Sequence, residues 1–169
     1  MAVGLGKKVA ELLNKQVSEE FAAGYLHIAM SAVLKEMNLD GCANWAMIRA
    51  KECERQAMEF FHYIQERGAK IKLQPINPAR QDWRAPLHVF EDMMRQEQRN
   101  GAMINVIYEA SVSEKDYATQ NFISQFVLKQ AKQATKAFNL LEQLRKMQTT
   151  DIGVIMFDAE LERKIEPPR

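Results

Sequence analysis

Apolar positions along this chain recur at three- and four-residue steps through four long stretches, the spacing that lines one face of a helix. The first stretch predicts a helix from about Lys7 to Glu36, with Leu13, Val17, Gly24, Ile28 and Ser31 on one stripe. Asn38-Leu-Asp-Gly41 interrupts the pattern, and a second helix follows to about Arg67, where Gly68 stands at the position favoured by a left-handed helix end. Periodicity then fades from Lys70 to Ala85, a segment holding Pro75 and Pro78, with Pro86 just beyond. A connection of that length suits a crossover running along a bundle better than a tight turn. A third helix is expected over about Pro86 to Val112, with Pro86 tolerated in its first turn. Ser113 is the expected N-cap of a fourth, from about Glu114 to Met147. Ile152 to about Lys164 predicts a short fifth helix, apolar in Ile152, Val154, Ile155, Met156 and Phe157, before Glu166-Pro-Pro-Arg169. No strand alternation competes. The fold class is all-α: one domain over 1–169, with a four-helix bundle over about 7–147 and a fifth helix over about 152–164.

Each long stripe carries a polar residue at a matching depth. Glu20 lies within the first stripe, and Glu97 lies among Phe90, Met94, Gly101 and Ile104. Gln130 lies among Ile123, Val127, Ala134 and Ala137, while the second helix places Cys53 and Gln56 beside Trp45, Phe60 and Ile64. At about 100° per residue, Cys53 and Gln56 share a face with Phe60, so helix geometry alone turns them inward. Bundles that hold two irons use four inward carboxylates and two histidines, with Glu-x-x-His on each of two helices. Here the inward glutamates number two, and no inward histidine stands at their level.

Composition narrows the classes. A chain of 169 residues buries a sizeable core, and its net charge of +1 gives no argument for nucleic acid or an acidic partner. No apolar run approaches the roughly 20 residues of a membrane span, and Met1 to Lys8 lacks the pattern of a secretory signal. Cys42 and Cys53, on one helix, are separated by roughly 16 Å at about 1.5 Å per residue, beyond disulfide reach. That reading favours a reduced, cytoplasmic location. Most of the ten methionines read as flexible core filler.

In this order and spacing, several local motifs resemble the non-haem ferritins of bacterial or archaeal type, over nearly the whole chain. They are Leu13-Asn-Lys-Gln-Val-Ser-Glu-Glu20, Tyr25-Leu-His-Ile-Ala-Met-Ser31, Gly41-Cys-Ala-Asn-Trp45, Glu97-Gln98, Glu114-Lys-Asp-Tyr-Ala-Thr119 and Phe157-Asp-Ala-Glu-Leu161. The resemblance implies a ferritin-like bundle, assembly of identical subunits into a twenty-four-subunit cage, storage of a ferric mineral, and a fifth helix near a four-fold axis. It also assigns metal positions to Glu20, Glu97 and Gln130, with Glu52 at an outer iron site. The family's bridging Glu-x-x-His, however, aligns with Cys53-Glu-Arg-Gln56, and its acidic stretch on the fourth helix aligns with Lys129-Gln-Ala-Lys-Gln133. Cys53, Gln56, Lys129 and Gln133 thus replace ligand-type residues, and Lys132 removes another carboxylate partner of Glu52. By this reading the centre is degenerate: no stable di-iron pair forms and fast ferroxidase activity is lost.

Something must then neutralise Glu20 and Glu97. Lys129, about 100° round the helix from Gln130, can either turn its ammonium among the former ligands or stand as a solvent-facing lysine. Cys53 reads as an inert buried thiol more readily than as a soft-metal ligand. His62, in the one Glu-x-x-His of the chain, faces away from the bundle core, and His27 reads as a hydrogen-bonded core histidine. Related haem-binding cages use a methionine at a subunit interface; Glu54 occupies that position here, so no haem is expected. Glu109, Glu114 and Asp116 are candidates for a three-fold cation path, or for an ordinary acidic turn. The expected function is that of an iron-storage cage subunit without its own oxidation centre, acting alone or co-assembled with a catalytic ferritin. The alternatives are a divergent ferroxidase using Glu20, Glu52, Glu97 and Cys53, and a cage with no iron role.

Overall fold

A computed structural model describes residues 4–165 of the chain. The start at Met1 and the proline-rich ending after Ile165 lie outside the described residues. Five helices follow one another: α1 Lys7–Glu36, α2 Asp40–Glu66, α3 Pro86–Ser113, α4 Tyr117–Met147 and α5 Asp151–Ile165. No strand occurs among the described residues.

Local chemistry explains the boundaries. Asn38 adopts φ 58° between α1 and α2, and Gly68 adopts φ 67° just after α2; both are left-handed positions that asparagine and glycine tolerate best. The α3–α4 corner differs from the expectation placed on Ser113. That residue is the last of α3, and Asp116 caps α4 instead, its carboxylate accepting from the Thr119 N–H at 3.1 Å. Arg67 holds the same carboxylate at 3.1 Å from across the bundle. Asp116 thus ties the end of α2 to the start of α4.

The interior divides into two apolar cores. One gathers Val9, Leu13 and Val17 of α1, Phe60 and Ile64 of α2, Ile104 and Ile107 of α3, and Ile123 and Phe126 of α4. The other gathers Met30 and Leu34, Cys42 and Ala46, Val89 and Phe90, and Leu140 and Leu144, with Phe157 and Leu161 of α5. Reading each helix from one core to the other shows that α2 and α3 run in the same direction while α1 and α4 run opposite to them. The segment 67–85 must accordingly traverse the bundle, which is why it is long. Asn14 and Ser18 of α1 bind the backbone of this crossover, at Lys70 and Lys72 and at Gln74.

α5 docks where the α2 backbone begins. Asp158 accepts from the Cys42 N–H at 2.8 Å, supplying the first turn of α2 with a partner for an otherwise unpaired donor. Gly41 makes that approach possible, since a Cβ there would meet the Asp158 carbonyl at 2.1 Å. Only Phe157 and Leu161 of α5 are buried; Ile152, Ile155 and Met156 face outward. Ile28, expected on the inner stripe of α1, is also outward, beside Tyr25.

Candidate functional site

Between the two apolar cores, all four long helices turn polar side chains inward at one level. α1 contributes Gln16 and Glu20, α2 Arg49, α3 Glu97 and Asn100, and α4 Gln130, all buried, and the half-buried Glu52 and Gln133 extend the layer to the bundle's edge. Hydrogen bonds join them into a continuous chain across the bundle. Gln16 Nε2 donates to Glu20 Oε1 at 2.9 Å and to Asn100 Oδ1 at 2.7 Å. Asn100 Nδ2 donates to Glu20 Oε1 at 3.1 Å and to Gln130 Oε1 at 2.9 Å. Gln130 Nε2 donates to Glu97 Oε2 at 2.7 Å and to the Glu97 carbonyl at 2.9 Å.

The charge at the centre belongs to Arg49. Its Nε and Nη2 donate to Glu97 Oε1 at 3.0 Å and 2.6 Å, and its Nη1 bonds Glu52, which also accepts from Gln133 Nε2 at 3.2 Å. The Arg49 and Glu97 side chains are only 6% and 4% exposed, so this pair lies out of water. Burial by itself lowers an arginine pKa, but the Glu97 and Glu52 carboxylates outweigh it and hold the guanidinium above its ordinary value. Buried charges persist where they are paired and hydrogen-bonded, and both oxygens of Glu97 are so engaged.

Glu20 is held differently. Burial pushes its carboxyl up to about 7, against the opposing bonds from Asn100 and Gln16. Glu20 is therefore about half neutral near pH 7 and neutral below it, which lightens the negative charge that the layer's one buried cation must balance. Among the described residues, its Oε2 finds no hydrogen-bond partner, nor do Gln16 Oε1 and His27 Nε2.

The expected site residues divide accordingly. Glu20, Glu97, Gln130, Glu52 and Gln133 do come together. Cys53 and Gln56 are buried on the inner face of α2 but stand outside the hydrogen-bond chain. The Cys53 Cβ packs where Gly24 leaves room on α1, and burial raises the thiol to about 12, so it is uncharged. Lys129 is not the internal cation. Its amine lies 4.0 Å from Glu59, with the side chain 40% exposed, and sits 5.2 Å from the Phe126 ring centre. Its long stem covers the ring while the ammonium stays in water, where solvation is cheapest. His27 Nδ1 donates to the Ala23 carbonyl, 2.7 Å away, and burial lowers its pKa, with the Arg49 charge adding to that. It is a neutral core histidine. His62 is exposed.

Sequence reasoning missed Arg49, Gln16 and Asn100. Each lay one turn from a residue already placed inside: Arg49 four before Cys53, Gln16 four before Glu20, Asn100 three after Glu97. Residues three and four apart share a helix face, so the signal existed, but arginine and glutamine at such positions read by default as solvated.

As a donor set, the layer does not suit a ferric pair. A guanidinium and an amide occupy the oxygens of Glu97, Cys53 is a neutral thiol, and the position expected for imidazole holds an amide. Among the described residues, no three histidine, cysteine, aspartate or glutamate side chains gather closely enough to hold a metal ion.

Comparison with known proteins agrees with the architecture. The ferritin-like domain matches residues 10–147. The chain is 26% identical over 157 residues to a bacterial non-heme ferritin of Bacteroides fragilis, covering 93% of this chain and 98% of the relative. It is 28% identical over 154 residues to that of Campylobacter jejuni, covering 91% and 92%. Among solved structures, an open pore ferritin from the archaeon Archaeoglobus fulgidus superposes with a TM-score of 0.92 at 28% identity, covering 97% of this chain and 100% of that one. A humanized archaeal ferritin gives 0.92 at 30% identity, over 98% and 100%. With the match spanning all four bundle helices and the fold shared end to end, the chain belongs to the ferritin family.

Proposed function

We propose that this ferritin is a storage-shell subunit in which an internal ion pair has replaced the di-iron oxidation centre. The observation that carries the reading is the Arg49–Glu97 pair, reached at 2.6 Å in the middle of the bundle. Arg49 supplies, permanently, the positive charge that iron would otherwise bring to Glu97. Glu20, Glu97, Gln130 and Glu52 remain at the family's metal positions as vestigial ligands, and Cys53, Gln56, Lys129 and Gln133 mark where ligand types were exchanged. The chain then stores iron as substrate and mineral without oxidising it quickly, and has no stable di-iron centre and no haem.

Three separate apolar surfaces support assembly into a closed cage of twenty-four subunits. Tyr25 and Ile28 lie on α1, Val112 and Leu128 on the α3–α4 side, and Ile152, Ile155 and Met156 on α5, all exposed in the single chain. Patches in several directions fit an assembly using more than one kind of interface. Two free, buried cysteines suit a reducing cytoplasm. A slow subunit of this kind has most use beside a fast one, so co-assembly with a catalytic ferritin is part of the proposal.

The test is iron loading. Ferrous iron supplied slowly in air should be recovered inside a large, soluble assembly, faster when a catalytic ferritin subunit is mixed into the cage. Iron recovered only as precipitate in both cases would overturn the storage role.

A further inference from the structure

A second polar construction lies away from the bundle centre, where the crossover meets α3. Arg80, Arg95 and Arg99 line a cavity of about 640 Å³ together with Asp92, Gln98 and the apolar Leu26 and Ala102. The arginines are held, not loose. Buried Trp83 donates its indole N–H to Asp92 Oδ2 at 2.7 Å, which fixes that carboxylate. Asp92 in turn accepts from Arg80 Nη1 at 2.8 Å on one oxygen and from Arg95 on the other. The Arg80 guanidinium also lies 5.6 Å from the Trp83 ring centre, and Arg99 Nη2 donates to Gln96 Oε1 at 2.5 Å.

Charge does not close within this group. Asp92 and the outlying Asp82, which bonds Arg80, face three arginines, with Arg84 close enough to act on Asp82 as well. The Arg95 side chain is 63% exposed and Arg80 49%, so their remaining N–H donors stay open to a ligand. Guanidinium groups match oxyanions with paired, parallel N–H bonds. Three of them round one cavity suit a phosphoryl group, which offers acceptor oxygens in several directions, better than a planar carboxylate. The volume falls in the range of small-molecule sites, and Leu26 with Ala102 gives an organic portion something apolar to cover.

We infer that this arginine-lined cavity is a binding site for a phosphoryl-bearing small molecule, independent of the polar layer inside the bundle. Inorganic phosphate and, separately, adenosine triphosphate without metal should be titrated calorimetrically into the assembled protein. The site predicts saturable binding of at least one probe, near one per chain. Arg95→Gln with Arg99→Gln should weaken it about tenfold or more, and both positions are at the cavity rim, where the fold does not depend on them. Lys132→Gln with Lys136→Gln, an equal loss of charge on α4, should leave it within about twofold. Binding of triphosphate alone assigns the site to phosphate esters; binding of both with similar affinity assigns it to the free anion. Absence of saturation with both probes, or an equal loss in the lysine variant, would overturn the inference.

Discussion

Arg49 and Glu97 form a pair whose two members need each other more than the fold needs either. Removing one partner of a buried ion pair leaves a desolvated charge and costs roughly 3–5 kcal/mol. Arg49→Met should therefore destabilise the protein by that order at neutral pH, measured by chemical denaturation. The loss should shrink in acid, where the orphaned Glu97 can protonate and become neutral. Lys129→Met should change stability by about 0–1 kcal/mol at most, because that side chain is partly exposed and its nearest carboxylate is 4.0 Å away. Glu20 titrates in the opposite sense. Its folded-state value of about 7 lies above the ordinary 4.5, so ionisation opposes folding: the contribution is fully present below about pH 4.5 and is lost as pH rises through 7. Glu20→Gln should stabilise the protein at pH 8 by on the order of 3 kcal/mol, since each tenfold change in the ionisation equilibrium corresponds to about 1.4 kcal/mol. At pH 4 the same substitution should be neutral. A Glu20→Gln variant that melts like the parent at both values would contradict the protonated glutamate.

Helix lengths and order were legible because apolar spacing over thirty residues leaves little choice, and α1 ends at Glu36 as expected. Corners were less legible, because they depend on contacts between distant segments. Ser113 and Asp116 are both good capping types, and only the position of Arg67 just after α2, reaching across to Asp116, selects the second. Asp116→Ala should accordingly cost more than the roughly 1 kcal/mol of a cap alone, whereas Ser113→Ala should be close to neutral in thermal melting. Gly41 shows the same dependence. Nothing local demands glycine there; the approach of α5 does, with its Asp158 carbonyl in the space a Cβ would need. Gly41→Ala should loosen α5, read as faster hydrogen exchange over 151–165 with the four-helix bundle still protected.

At the scale of the whole molecule, the four-helix bundle was legible in the apolar spacing and the ferritin family in the local motifs, and Glu20, Glu97 and Gln130 were legible as inward polar groups at one depth, whereas Cys53 and Gln56 of α2 stand outside the layer. The identity of the cation did not follow. An arginine one turn from an inward cysteine and a lysine beside an inward glutamine look equivalent along a helix, and only packing distinguishes a guanidinium enclosed by two carboxylates from an ammonium resting on Phe126. That distinction decides the functional reading, because an enclosed cation occupies the oxygens that iron would need. The most direct test is stopped-flow absorbance after mixing the assembled protein anaerobically loaded with ferrous iron, at about two irons per subunit, with oxygenated buffer. The parent protein should show only slow, unsaturating oxidation, and a variant combining Arg49→Ala, Cys53→Glu and Gln56→His should gain a rapid phase. A fast burst in the parent that saturates near two irons per subunit would contradict the replacement of the iron centre by the Arg49–Glu97 pair.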